Sequence, residues 1–188
     1  GYEMHNDSVA IFGDIVFADN VIDMNSDGIY SHEYFIDWIG SYLYDNASFT
    51  MGSILFTEND VNASGDGIYI RHVENLGYDM YNNSSFTMGD FAVNGNIINA
   101  SSGSGIYIDY FEYFGSYMEH NSSFAMGDIA FNNNSINASS DGIYIDYLYY
   151  FGYSMYGNST FTMDGMEFNG NIINASGGYG IYWYTEYW

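Results

Sequence analysis

Apolar residues alternate with polar residues along this chain in short runs, and turn-forming residues separate the runs. Phe124 and Met126 lie two positions apart, as do Ile143 and Ile145, with Gly-Asp, Asn-rich and Ser-Ser-Asp-Gly segments between such pairs. A period of two predicts short β-strands, and Gly, Asn and Asp predict the tight turns that join them. Because no segment shows the apolar period of a helix, the pattern predicts an all-β protein.

The same series of runs recurs along the chain with a nearly constant period. The tripeptide Gly-Ile-Tyr recurs at steps of 39, 38, 37 and 38 residues. It begins at Gly28, Gly67, Gly105, Gly142 and Gly180. A second marker is an Asn followed two residues later by Ser or Thr, at Asn6, Asn46, Asn83, Asn121 and Asn158. A third marker is a glycine at Gly40, Gly77, Gly115 and Gly152. Three markers in phase indicate a solenoid or a repeat array.

Stacking of the repeats is the simplest way to bury their apolar faces, because one coil of short strands cannot bury its inner face alone. We therefore predict a parallel β-solenoid, or β-helix, of about five coils with one repeat of about 38 residues per coil. Residues 1–188 form a single repeat domain in this interpretation. Its units are about 1–45, 46–82, 83–120, 121–157 and a partial 158–188. A propeller is the alternative, but the hairpin signals that it needs are too few.

Parallel in-register stacking places equivalent side chains in columns, as in amyloid-like assemblies. The repeat predicts a tyrosine column of Tyr30, Tyr69, Tyr107, Tyr144 and Tyr182. It predicts an apolar column of Phe17, Phe56, Val93, Phe131 and Phe168. It also predicts a methionine column of Met51, Met88, Met126 and Met163.

Composition and charge narrow the possible partners. The chain has 188 residues, of which 24 are acidic and one, Arg71, is a basic Arg or Lys, so the formal net charge is −23. Such a chain repels phosphate, which disfavours nucleic-acid binding and binding to anionic membranes. No apolar run is long enough for a membrane span, so we expect no membrane insertion. The absence of cysteine excludes disulfides and thiolate sites.

The segment VNGNIINASSGSGIYI, residues 93–108, resembles the repeats of right-handed parallel β-helices in archaeal surface proteins. The acidity, the abundant Asn-x-Ser/Thr and the lack of cysteine are also similar to the major sheath proteins around filamentous methanogens. These resemblances imply an extracellular location, at a cell surface or in a sheath, and a structural role.

Asn-x-Ser/Thr sequons recur in two families, and a sequon is an acceptor for N-glycans on exported proteins. The first family is Asn6, Asn46, Asn83, Asn121 and Asn158. The second is Asn62, Asn99, Asn137 and Asn174. We expect covalent N-glycans at several of these sites, with an inward amide ladder as the alternative for the second family. In that family Asn25 is interpreted as a member that keeps the Asn and loses the sequon.

Acidic residues also recur at fixed repeat positions. Asp14, Asp90 and Asp128 share one position, and Asp109 and Asp146 share another. Stacked carboxylates either bind a cation or have a raised pKa, and calcium suits oxygen-rich columns. Calcium as a structural counterion is therefore the one cofactor that the sequence suggests. A solvated face with loose counterions is the alternative, since Ser53 and Gly165 interrupt the first column.

Catalysis is not expected, because an active site should break the repeat with a cluster of unlike functional groups. The nearest cluster is Arg71, His72 and Glu74. The remaining histidines, His5, His32 and His120, are interpreted as solvent-facing turn residues, with His5 and His120 in equivalent places. They lack the spacing of metal ligands. We therefore predict that the protein is not an enzyme, although β-helix polysaccharide lyases and hydrolases remain a less favoured alternative.

The ends of the repeat array suggest a function. A solenoid exposes an open edge at each end unless something covers it, and the sequence shows no cap. A half-repeat at each end would let the last coil of one molecule be completed by the first coil of the next, which makes filaments or rings. We expect a homopolymer, with the aromatic residues Tyr182, Trp183, Tyr184, Tyr187 and Trp188 as an adhesive surface. A cell-surface adhesin or glycan-binding module is the alternative function.

Overall fold

The computed structural model describes residues 3–186 as a stack of five coils of short strands. Coil one contains β1 (Val9–Phe12), β2 (Ile15–Ala18), β3 (Val21–Met24), β4 (Ile29–Tyr30) and β5 (Ile36–Asp37). Coil two contains β6 (Ser48–Met51), β7 (Ile54–Thr57), β8 (Asp60–Ala63) and β9 (Ile68–Glu74). Coil three contains β10 (Ser85–Met88), β11 (Phe91–Asn94), β12 (Ile97–Ala100) and β13 (Ile106–Glu112). Coil four contains β14 (Ser123–Met126), β15 (Ile129–Asn132), β16 (Ser135–Ala138) and β17 (Ile143–Tyr149). Coil five contains β18 (Thr160–Met163), β19 (Met166–Glu167), β20 (Ile172–Ala175) and β21 (Ile181–Glu186).

Each strand pairs in parallel with its copy in the next coil, so four sheets run along the stack. The first sheet joins β1, β6, β10, β14 and β18, and the second joins β2, β7, β11, β15 and β19. The third joins β3, β8, β12, β16 and β20, and the fourth joins β4, β9, β13, β17 and β21, with β5 beside β9. A further line of parallel bridges connects Met4, Leu43, Met80, Met118 and Met155. This architecture confirms the predicted all-β parallel solenoid of about five coils. The described residues form no helix that could span a membrane.

The core lies inside the coils, because the period of two turns alternate side chains inward. Phe86 and Phe124 are each 1% exposed, and their rings stack 5.1 Å apart and almost parallel. Phe49 extends this stack on one side and Phe161 on the other, at 5.5 and 5.2 Å. Burying each such ring contributes about 1.5–3 kcal/mol. The registers that build the core therefore repeat from coil to coil.

The glycine of each Gly-Ile-Tyr motif is required by the close approach of adjacent coils. A Cβ added to Gly67 would lie 2.6 Å from the carbonyl oxygen of Gly105 in the next coil and would also overlap the Ile98 side chain. The same overlap recurs at Gly28, Gly105 and Gly142. At Gly180, in coil five, an added Cβ meets nothing within 4 Å. The motif thus marks a contact between coils rather than a turn.

The register of coil one differs from the sequence-based alignment by one residue. Val9 pairs with Ser48, an offset of 39, and the Asp7 N–H donates to the Asp45 carbonyl. Asp7, and not Asn6, is therefore the coil-one equivalent of Asn46, so the grouping of Asn6 with the first sequon family is wrong. The offset of 39 rather than the 40 that separates the two sequons explains the error.

Two further equivalences inferred from the sequence are also wrong. His5 stacks on Tyr44 with ring centroids 4.8 Å apart, so it does not share a position with His120. In the second sequon family, Asp23 pairs with Asn62, so Asn25 lies outside that column. In each case a residue type that resembles the repeat stands one or two positions from the place that the backbone register assigns.

Candidate functional site

A column of asparagines runs through the interior of the solenoid, at the turn between the second and third sheets. Its members are Asn20, Asn59, Asn96, Asn134 and Asn171. Three of them, in coils two to four, are at most 1% exposed. The Nδ2 group of each Asn donates to the Oδ1 atom of the Asn in the following coil, at 2.8, 2.9, 3.0 and 3.0 Å. Buried amides are stable here because each one finds both a donor and an acceptor.

This interior ladder has a direction and two open ends. The backbone N–H of Asn59 also donates to Asn96 Oδ1, at 3.0 Å, so the donors of each coil point towards coil five. In coil one, Asn20 Oδ1 has no donor among the described residues. In coil five, the N–H of Asn171 has no acceptor among them, and its Nδ2 group donates to the Phe131 carbonyl at 2.6 Å with one hydrogen left over. The ladder was missed in the sequence, although its spacing of 39, 37, 38 and 37 residues was a usable signal.

The first sequon column lies on the outside of the solenoid. Its members in coils two to five are Asn46, Asn83, Asn121 and Asn158, all exposed and all with left-handed φ between 59° and 63°. Asparagine tolerates this conformation better than most residues. Each Nδ2 group donates to the Oδ1 atom of the preceding coil, from 2.9 Å for Asn46 to Asp7 up to 3.4 Å for Asn158 to Asn121. These amides therefore form a second ladder whose donors point towards coil one.

The second sequon column is also outside, and not the inward ladder that the sequence left open. Asn62, Asn99, Asn137 and Asn174 are exposed. Asn99 Nδ2 donates to Asn62 Oδ1 at 3.0 Å, and Asn174 Nδ2 donates to Asn137 Oδ1 at 2.9 Å. All of the sequons in the two columns are thus accessible, as N-glycan acceptors must be, but their amides already have hydrogen-bond partners. Glycosylation stays a prediction.

The aspartates proposed as calcium ligands hold the backbone of the next coil. Asp14 Oδ1 accepts the N–H of Ser53 at 2.7 Å, and Asp90 Oδ1 accepts the N–H of Asp128 at 3.0 Å. Ser53 fills the gap in the column by accepting the Asp90 N–H with its hydroxyl oxygen at 3.1 Å. In residues 3–186 no three His, Cys, Asp or Glu side chains come together as a metal site would require. Calcium as a counterion stays a prediction.

The basic cluster lies on β9, at the fourth sheet. Arg71 Nε lies 3.8 Å from Asp109 Oδ2, and His72 Nδ1 lies 3.6 Å from Glu74 Oε2. The His72 ring stacks on Tyr110, 4.5 Å away. The pKa of Asp109 is raised by burial and by Asp146, against a lowering by His72 and Arg71. The cluster neutralises part of an acidic surface, and no cavity of an active-site kind adjoins these groups.

Glu74 and Glu112 are paired carboxyls in register on β9 and β13. Burial raises the pKa of Glu112 to about 7, and the hydrogen bond and charge of Glu74 raise it further in the same direction. The two carboxyls therefore share a proton near neutral pH. This is the consequence of stacking acceptors on acceptors.

The predicted tyrosine column stands on the outer face of the fourth sheet, with its members in register. Ring centroids of Tyr69 and Tyr107 lie 4.9 Å apart and nearly parallel, and those of Tyr144 and Tyr182 lie 4.9 Å apart in the same way. Between these pairs the stacking is broken, because Tyr107 and Tyr144 meet at 80°.

A polar cavity of about 470 Å³ opens beside this break. Its lining includes Asp27, Asp66, Ser104, Tyr107, Asp141 and Tyr144. The turn before β13 has five residues, 101–105, where coil two has four, 64–67, and residues 102–104 of this longer turn line the cavity. Burial raises the pKa of Asp66, and Asp27 and Asp141 add to the rise, against a hydrogen bond from Ser104. The cavity is a place where the repeat is interrupted, which the sequence interpretation did not identify.

The end coils differ from the central coils in how far their inward residues are covered. Phe12 faces inward in the same column as Met51, yet it is 45% exposed and Met51 is 2% exposed. In coil five Phe161, Met163 and Ile173 are partly buried against the core instead of fully buried. Coils one and five nevertheless both carry strands in all four sheets. Tyr187 and Trp188 of the predicted aromatic surface lie outside the described residues.

Comparison with protein-family models, curated proteins and solved structures found no match to this chain. The functional interpretation therefore rests on the geometry of the solenoid alone.

Proposed function

We propose that this protein is a structural subunit that self-assembles through the edges of its solenoid. Coil five of one copy stacks on coil one of the next, and repetition of this contact builds a fibre, a sheath or a surface layer. The sheets continue across each junction with the same parallel register that joins coils within one molecule.

The interior asparagine ladder is the observation that carries this proposal. It leaves an acceptor, Asn20 Oδ1, at the coil-one edge and donors, the N–H and Nδ2 groups of Asn171, at the coil-five edge. Head-to-tail stacking joins these donors to that acceptor, so the ladder continues through the junction. Head-to-head stacking would place acceptor against acceptor.

Apolar burial favours the same contact. The inward side chains of both end coils are only partly covered, Phe12 among them. Unpaired strand edges with apolar surface are templates for further strands. A second copy covers both at once, since every coil offers the same inward columns.

Two glycines give a direct test, because each faces away from the molecule at one edge. An added Cβ meets nothing within 4 Å at Gly180 or at Gly13. Within the stack the equivalent changes collide, since a Cβ on Gly67 would lie 2.6 Å from the Gly105 oxygen and one on Gly52 would lie 2.7 Å from the Asp14 nitrogen. Gly180→Ala and Gly13→Ala should therefore leave the monomer folded and block head-to-tail stacking.

The experiment is sedimentation and electron microscopy of the purified protein over a range of concentrations and ionic conditions. Wild type should form fibres, and both glycine variants should remain monomeric with an unchanged circular dichroism spectrum. Thr87→Ala is the matched control, because its column already contains Ala125. Soluble wild-type monomer under every condition would refute the proposal, as would fibres from both glycine variants.

An extracellular, glycosylated sheath or cell surface is the setting that we propose, in keeping with the resemblance of the repeat to archaeal surface and sheath proteins. Exposure of the sequon columns supports it. Adjacent coils lie about 4.8 Å apart, so steric crowding should restrict glycans to alternate members of a column. An intact mass of the native protein above 21.2 kDa would support this setting, and an unmodified mass would exclude it.

A glycan-binding module is the second candidate, and the polar cavity favours it. Hydroxyl and carboxyl groups beside the faces of Tyr107 and Tyr144 are the kind of lining that sugars bind. Binding on a glycan array that Tyr107→Ala abolishes and Tyr34→Ala, an exposed tyrosine elsewhere, retains would support it. An array without hits would remove it.

A further inference from the structure

The two outer amide ladders end differently from the interior ladder. In coil one their positions are held by Asp7 and Asp23, where coils two to five have asparagine. Asp7 Oδ1 accepts the Nδ2 group of Asn46 at 2.9 Å, as an asparagine oxygen would. The second carboxylate oxygen stands where an asparagine would place its donor.

The direction of these ladders determines what faces the next molecule. Their donors point towards coil one, so Asn158 and Asn174 in coil five use Nδ2 to donate backwards, at 3.4 and 2.9 Å. Their Oδ1 atoms are left facing away from the stack. At a head-to-tail junction these oxygens would meet the free carboxylate oxygens of Asp7 and Asp23 of a second copy.

An ionised carboxylate is an acceptor only, so two of the three amide columns put acceptor against acceptor at the junction. The interior column matches and the outer two do not. Coil one is also the most acidic part of the molecule, with eight of the 24 acids in residues 3–42. General repulsion and the local mismatch must therefore be separated by experiment.

We propose that Asp7 and Asp23 are specificity-determining stops on the coil-one edge, which oppose end-to-end stacking of a second copy. The proposal rests on the proposed head-to-tail assembly and adds a residue-level control of it. Asparagine at both positions supplies the two missing donors and continues the outer ladders through the junction.

The test compares Asp7→Asn/Asp23→Asn with wild type by the critical concentration for fibre formation, measured by sedimentation and light scattering. We expect the double variant to assemble at a concentration about tenfold lower or less, because each restored hydrogen bond contributes a few-fold. The matched control is Asp19→Asn/Glu33→Gln, which removes two charges from exposed positions of the same coil outside the amide columns. It should change the critical concentration much less.

A reciprocal exchange tests the geometry itself. Asn158→Asp/Asn174→Asp should weaken assembly in the wild-type background and should be rescued by Asp7→Asn/Asp23→Asn, whose amides can donate to the new carboxylates. Rescue would support the proposal.

An equal effect of the control and test variants would overturn the proposal in favour of net charge, while the proposed function would stand. Fibres that form equally well from wild type and the double variant would overturn it in the same way. Monomers from every variant would overturn both proposals.

Discussion

The interior asparagine column and the Glu74–Glu112 pair both stack identical polar side chains from adjacent coils, with opposite results. Asn96 donates to Asn134 and accepts from Asn59, so every amide in the middle of the column is satisfied. Glu74 and Glu112 are both acceptors, and the pKa of Glu112 rises to about 7. A side chain that carries both a donor and an acceptor repeats without penalty along a solenoid, whereas one that carries only acceptors does not.

The same rule explains the edges. Where a column consists of amides throughout, the two ends of the molecule are complementary, as in the interior ladder. Where coil one substitutes a carboxylate, as at Asp7 and Asp23, the ends become like and repel. The identity of one residue per column therefore determines whether coils continue or stop.

Breaking the interior column should have the largest effect on stability. Asn96→Ala removes an acceptor for two donors of Asn59 and a donor to the Phe56 carbonyl, all buried. Orphaned buried polar groups cost about 1–3 kcal/mol each, so we expect a loss of about 3–5 kcal/mol in the free energy of unfolding. Urea denaturation followed by circular dichroism measures it. A loss below about 1 kcal/mol would contradict the structural role of the ladder.

Converting the carboxyl pair into an acid–amide pair should have an intermediate effect. Because the pKa of Glu112 is raised, the folded state holds a proton that the unfolded chain releases, so stability falls as pH rises from about 4.5 to about 7. Glu112→Gln should flatten this dependence and, after allowance for solvent screening, stabilise the protein by about 1 kcal/mol at neutral pH.

Thermal unfolding between pH 4 and pH 8 measures this change. The control Glu58→Gln removes the same charge from an exposed turn. A pH profile that Glu112→Gln leaves unaltered, or that Glu58→Gln alters equally, would show that the pair is not the cause.

Breaking an outer column should have the smallest effect. Asn99→Ala removes the exposed bond to Asn62 at 3.0 Å, and water can solvate the groups that it leaves. We expect a loss of about 0.5 kcal/mol or less, measured by the same urea titration as Asn96→Ala. A loss equal to that of Asn96→Ala would show that burial does not separate the two kinds of ladder.

Much of the fold could be predicted from the sequence, because the period of two and the period of about 38 residues are both direct consequences of backbone geometry. Alternation identifies strands such as β14 and β15, and the constant repeat requires equivalent residues such as Tyr69 and Tyr107 to stack. Turns carry no such period. The residues of the longer turn at 101–105, and the cavity beside it, therefore had no signal of their own.

The sequence by itself determined the parallel stack, its repeat length and the members of its apolar and tyrosine columns. Only the tertiary structure decided which asparagines face inward, that coil one is offset by 39 residues, and that the interior and outer ladders run in opposite directions. The physical reason is that a residue's face depends on the bounds of its strand and turn, and a ladder's direction depends on which backbone groups lie beside each amide. Those relations exist only between coils, so the composition of a single repeat does not contain them.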